Sequence, residues 1–122
     1  MGKDMLKKIL KQQNHPSLAI KVDLENLKLD EFVVIDVRTP QLFATTPHLS
    51  NAHNIYDIEE LVAFCHQHKG EKLLLVCNGG LESAKYGTLL VESGVQDVYY
   101  LDEYLQIIED YLPLVYPQKE EK

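Results

Sequence analysis

The stretch Cys77-Asn78-Gly79-Gly80-Leu81-Glu82-Ser83 holds the residue types that could carry out nucleophilic chemistry. Cys77 follows the apolar run Leu73 to Val76 and precedes a Gly-rich turn, after which Ser83 opens a segment that can be helical. An apolar run bounded by turn residues suits a buried strand. Open α/β sheets place ligands at the carboxyl ends of their strands, which is where Cys77 would stand. Backbone N–H groups of the loop and first helical turn would converge on its sulfur and favour a negative sulfur species. Gly79 and Gly80 permit tight curvature and close approach, and Ser83 suits either an N-cap or a hydroxyl donor. The competing reading makes Cys77 a small buried residue that ends a strand, as many free cysteines are.

The rest of the chain must position that loop. Met5 to Gln13 reads as a short amphipathic helix ended by Asn14-His15-Pro16. Leu18 to Val22 has strand character, and Asp23 can cap a short helix through Leu27. Phe32 to Ile35 predicts a central strand closed by Asp36. Thr39 to Asn51 reads as a short helix and an irregular loop, followed by a very short strand over Ala52 to Ile55. Asp57 introduces an amphipathic helix with Ile58, Leu61, Val62 and Cys65 on one face, so Cys65 reads as core. His66 and His68 read as surface residues near its end, and Gly70 stops it. After the Leu73 to Val76 strand come a helix over Ser83 to Glu92, a stop at Gly94 and a strand over Asp97 to Leu101. A last helix is expected over Glu103 to Tyr111, with Tyr104, Ile107, Ile108 and Tyr111 covering the sheet. This alternation predicts an α/β fold, an open, mainly parallel sheet with helices on both faces. The expected division is a helical extension over 1–17, one domain over 18–116 and a short charged tail over 117–122.

Composition limits the functions available. A chain of 122 residues is about one domain, and a formal charge of -7 argues against nonspecific binding to nucleic acid or anionic membranes. Arg38 is the only arginine, so an arginine clamp for an anion would use it or come from a partner. The two cysteines, Cys65 and Cys77, make neither a disulfide framework nor a CxxC pair. With no secretory h-region and no stretch of membrane-spanning length, the expected location is cytoplasmic. Cys77, His48 and His53 lack a specific metal-ligand spacing, so no metal or other cofactor is expected.

Three blocks in order resemble the single-domain rhodanese-like sulfurtransferase family, with the likeness running from about Leu18 to Leu112. Val34-Ile35-Asp36-Val37-Arg38 is similar to the family's early strand ending in Asp-Val-Arg. His48-Leu49-Ser50-Asn51-Ala52-His53-Asn54-Ile55 resembles its His-Ile-x-Gly-Ala-x-Asn-Ile segment. Cys77 to Ser83 lies at the catalytic cysteine and loop, and Val98 to Leu101 at the following strand.

The resemblance implies persulfide chemistry. Cys77 would take a sulfane sulfur from a protein or persulfide donor and pass it to a protein thiol, a low-molecular-weight thiol or another nucleophile. Asn78, Gly79, Gly80, Leu81, Glu82 and Ser83 would form the persulfide cradle, with successive backbone N–H groups serving an anionic sulfur. Asp36, Arg38 and His48 would support it: Asp36 through loop N–H bonds, Arg38 by pairing with a carboxylate or, as the less favoured role, by reaching an anionic donor, His48 through the neighbouring loop or plain packing. Glu82 stands where relatives active on small donors commonly carry arginine, so thiosulfate:cyanide transfer is expected to be weak. Asp102-Glu103 replaces paired glycines of many relatives, and Pro47 and Asn51 replace two more. These departures support an alternative, a noncatalytic interaction or regulatory module. A cysteine phosphatase would need arginine where Ser83 stands.

Overall fold

The structure is a computed structural model that describes residues 14–117, so the helix expected over 5–13 and the final charged run lie outside the described residues. Its main sheet has five parallel strands, β1 (Ile20–Lys21), β2 (Val33–Asp36), β4 (His53–Asn54), β5 (Leu73–Val76) and β6 (Val98–Tyr100). They lie in the order β1-β6-β5-β2-β4, which puts β5, and the cysteine after it, at the centre. Val33 to Asp36 lie in register with Leu73 to Val76, and Leu73 to Leu75 with Val98 to Tyr100.

Because side chains alternate across a strand, β2 and β5 supply both faces of the sheet. Ile35, Val37, Leu73, Leu75 and Cys77 pack in one core with residues of α2 (Ile58–Gln67) and α3 (Leu81–Glu92). Val34, Leu74 and Val76 pack in the other with Leu24, Leu49, Leu101 and the α4 (Leu105–Ile108) residues Ile107 and Ile108. Burial on both faces explains why β5 is a continuous apolar run rather than an alternating one. The remaining helix, α1 (Pro40–Thr45), opens on Thr39, whose Oγ1 accepts from the Leu42 amide at 3.3 Å. Asp57 caps α2 by accepting from the Glu60 amide at 2.9 Å, and Asp23 caps a single 3₁₀ turn over Leu24–Asn26.

Three expectations are corrected. Helix α3 starts at Leu81, two residues before Ser83, because Gly80 (φ +85°) turns the chain straight from the loop into the helix. Ser83 is therefore not the N-cap. The last helix is confined to Leu105–Ile108, since Tyr104 is extended (ψ 149°) and the chain after Ile108 turns to form β7 (Leu114–Val115). That strand pairs antiparallel with β3 (His48–Leu49), in a segment expected to be irregular loop. Two-residue strands that exist only through a partner far along the chain leave no local periodicity to read.

Candidate active site

Cys77 comes directly off the central strand and lies 2 % exposed, beneath the first turn of α3. Two groups of one residue meet its sulfur: the Ser83 amide donates to Sγ at 3.3 Å, and the Ser83 hydroxyl shares a hydrogen bond with it at 3.3 Å. The N-terminal end of a twelve-residue helix adds a positive partial charge to the same place. The hydroxyl also lies 3.1 Å from the Gly80 carbonyl and 3.3 Å from that of Leu101. Ser83 is fully buried, so these contacts fix its rotamer from below and behind.

The loop is braced residue by residue against the segment after β6. Asn78 accepts from the Leu105 amide through Oδ1 at 3.2 Å. Gly79 donates its amide to the Glu103 carbonyl at 3.1 Å and lies against the Tyr104 ring. Gly80 presses on Asp102 so closely that a Cβ there would come within 2.7 Å of the Asp102 Cα. Both glycines hold positive φ, at +95° and +85°, which L side chains rarely adopt. The Gly79 amide is engaged by the Glu103 carbonyl, and the hydrogen bonds to Sγ come from Ser83. Leu81 and Glu82 are exposed on the outer side of the helix start. The Glu82 charge acts on the Tyr86 phenol, helping burial and the Tyr56 phenol to push it above its ordinary range.

Asp36 and Arg38 form a separate buried pair beside the loop, and His48 packs apart from them on α1. The Arg38 Nε lies 3.0 and 3.1 Å from the two Asp36 carboxylate oxygens, and its Nη2 is 2.8 Å from Oδ2. The guanidinium further donates to Thr46 at 2.7 Å and to the Pro47 carbonyl at 3.1 Å. Asp36 also accepts the Arg38 amide at 3.0 Å. At 7 % and 2 % exposure the pair is buried, and the single arginine is spent on its neighbours. His48 stacks on Phe43 with ring centroids 3.9 Å apart and lies 3.1 Å from the Leu49 carbonyl. The hydrogen bonds of the pair tie β2 to the α1–β3 loop, while those at Sγ come from Ser83. A groove of about 290 Å³ runs between the two, lined in part by Arg38, Leu42, Asn78, Leu105 and Leu114.

Asp102 is the residue whose part at the loop the sequence did not reveal. Its side chain is fully buried, and it accepts from the His15 amide at 2.6 Å, from His15 Nδ1 at 2.7 Å and from Lys21 Nζ at 3.1 Å. Burial pushes its carboxyl up, yet the His15 and Lys21 hydrogen bonds and the Lys21 charge outweigh it and hold it below the usual range. The available signal was the aspartate in place of a family glycine. Its partner His15, 87 positions away, carried no signal. Asn51 fits its place by conformation, since at φ 62° it occupies the left-handed region that asparagine tolerates. Cys65 is 1 % exposed, and burial pushes its thiol up to about 11, which makes it inert core. Among the described residues, no group of three or more His, Cys, Asp or Glu side chains could hold a metal ion.

Residues 21–106, from β1 through α4 and across the whole braced loop, match the rhodanese-like domain model. The chain belongs to the rhodanese-like domain family. Protein hp1203 from Helicobacter pylori 26695 is 32 % identical, with a TM-score of 0.74 over 83 % of this chain and 96 % of that one. A rhodanese-related protein from Thermoplasma volcanium is 24 % identical, with a TM-score of 0.61 over 80 % of this chain and 96 % of that one. A protein of unknown function described as a possible tyrosine phosphatase, from Rhodopseudomonas palustris CGA009, shares the fold at 17 % identity and a TM-score of 0.58. That match covers 70 % of this chain and 71 % of the other. No curated protein matches the chain. Among the described residues no helix is long and apolar enough to cross a membrane.

Proposed function

We propose that this rhodanese-like domain transfers sulfane sulfur through a persulfide on Cys77. One observation carries the reading: Sγ ends the central strand at a helix N-terminus, with the Ser83 amide and hydroxyl both 3.3 Å away. An amide donor and a helix N-terminus in that place serve the negative charge of a bound persulfide sulfur. In the first step the Cys77 thiolate attacks the outer sulfur of a donor persulfide. A new S–S bond forms as the donor's S–S bond breaks, and the donor leaves as a thiolate with the electron pair. In the second step an acceptor thiolate attacks the outer sulfur on Cys77, and Cys77 leaves as a thiolate. The exchange is redox-neutral and uses no cofactor. Asp36 and Arg38 hold the neighbouring loop, and His48 packs on α1.

The donor we favour is a protein or low-molecular-weight persulfide and the acceptor a protein or low-molecular-weight thiol, both in the cytoplasm, rather than thiosulfate. The lone arginine is consumed by Asp36, and the first turn of α3 presents Glu82 instead of a cation. Incubating the reduced protein with a persulfide donor should add about 32 Da, one sulfur atom, at Cys77. The adduct should be absent from Cys77→Ser and should decay when a thiol acceptor is added. Folded protein that acquires no Cys77-dependent adduct would refute sulfur transfer.

The 2 % exposure of Cys77 favours a second reading, a noncatalytic module that uses the rhodanese-like surface for interaction. Repeated turnover from a purified persulfide donor, abolished in Cys77→Ser, would eliminate it.

A further inference from the structure

Cys77 is 2 % exposed as a whole residue and lies beneath the first turn of α3, so a donor reaches it when the loop before that turn yields. The hydrogen bonds around residues 78–80 identify what braces that loop. Residues 102–105 lie over residues 78–80 through the Glu103 carbonyl, the Leu105 amide, the Tyr104 ring and Asp102 itself. Asp102 carries a buried carboxylate, which is tolerated only while cations or donors reach it. They come from outside the loop: the His15 amide and ring, and Lys21 Nζ. His15 is 28 % exposed along its side chain and Lys21 41 %, so the partners sit where solvent can reach them.

We propose that His15 and Lys21 latch Asp102 in place, keeping the 102–105 segment over the Cys77 loop, and that releasing the latch opens the loop to donors. With the His15 ring and the Lys21 ammonium gone, the carboxylate would keep only the His15 amide, would be buried and under-compensated, and would move toward water. Because Asp102 is packed on Gly80, that movement separates 102–105 from 78–80 and frees the loop that leads into the α3 turn lying on Sγ. The N-terminal segment itself stays docked, since the Tyr100 hydroxyl donates to the His15 carbonyl at 2.7 Å and the Leu18 amide donates to Thr88 at 3.0 Å. The latch is a property of these hydrogen bonds and ion pairs alone. Its role in admitting sulfur donors rests on the persulfide reading of Cys77.

The chain contains its own control for the test. Cys65 is buried on the core face of α2, away from the loop, so its labelling reports opening of the core, whereas Cys77 reports the loop. The full chain is treated with iodoacetamide, and each cysteine is quantified separately by peptide mass spectrometry. In His15→Ala/Lys21→Met, which removes two charge-assisted partners of Asp102, Cys77 labelling should rise at least about tenfold, the factor expected for losing one of them, with Cys65 unchanged. Adding Asp102→Asn to that variant removes the charge that drives the opening and should return Cys77 labelling toward the wild-type rate. Unchanged Cys77 labelling in the double variant would overturn the latch, as would parallel rises at both cysteines. Absence of rescue by Asp102→Asn would also overturn it. None of these readouts needs sulfur transfer, so the latch can fail while the persulfide adduct forms, and the adduct can fail while the latch holds.

Discussion

Replacing Arg38 with methionine tests whether the only arginine of the chain serves the fold or the substrate. Methionine keeps much of the apolar stem and removes the guanidinium. Asp36 is then deprived of the hydrogen bonds from Nε at 3.0 and 3.1 Å and from Nη2 at 2.8 Å. Thr46 and Pro47 also lose a donor, but both are only partly buried and water can replace it. The cost therefore falls on Asp36, which is 2 % exposed and cannot recover hydration. Breaking a buried pair by removing one partner costs about 3–5 kcal/mol. Asp36 keeps one bond, from the main-chain amide of residue 38 at 3.0 Å. The lower end of that range, about 3 kcal/mol, is expected.

For a domain of this size the loss should appear as a melting temperature lower by about 12 °C. Urea unfolding measures it directly, through a lower midpoint at unchanged slope. Asp36→Asn/Arg38→Met removes the orphaned charge and should recover part of the loss. A single variant within about 1 kcal/mol of wild type, or a double variant no better than the single, would refute the buried-pair reasoning. Persulfide loading of the folded single variant should match wild type. A selective loss with anionic donors would reassign Arg38 to the substrate.

Ser83→Ala removes the hydroxyl but keeps the amide on Sγ, and should cost about 1 kcal/mol in urea unfolding. Persulfide loading at neutral pH should fall about tenfold, because hydrogen bonds to ions are stronger than neutral ones; a loss of stability with full loading would limit the hydroxyl to a structural role. Asp102→Asn should alter the pH dependence of stability. A carboxyl whose folded value lies below its unfolded value contributes fully above about pH 4 and loses the contribution as pH falls through the folded value. The wild-type advantage over Asp102→Asn, measured by urea unfolding, should therefore be larger at neutral pH than in acid, and a pH-independent difference would contradict it. Glu82→Arg should speed loading from thiosulfate while lowering stability by about 0.5 kcal/mol, since a cation replaces an anion in the first turn of α3. An unchanged thiosulfate rate would show that this charge does not limit the reaction.

The parts of the chain that a reader could recover without coordinates are those whose physics is local. Leu73 to Val76 is apolar throughout because both of its faces are covered, and that pattern marks a central strand wherever it occurs. Asp57 and Ile58, Leu61 and Cys65 announce a capped amphipathic helix by spacing alone. The Cys77 loop was legible as a strand-loop-helix junction with two glycines, both of which adopt positive φ.

Tertiary structure decided what those pieces do to one another. Helix α3 starts at Leu81 because Gly80 turns the chain at φ +85°, and the contact with Asp102, 22 positions on, leaves no room for a side chain there. That start moved Ser83 from the cap into the first turn, where its amide and hydroxyl both reach Sγ. The pairing of His48 and Leu49 with Val115 and Leu114 shortened the last helix and turned an expected loop into a strand. Asp102 became a buried charge only because His15 and Lys21 arrive from the other end of the chain. Hydrophobic periodicity records which face of an element is buried, so it survives in the sequence. A hydrogen bond between distant residues leaves no period, and only the folded chain reveals it.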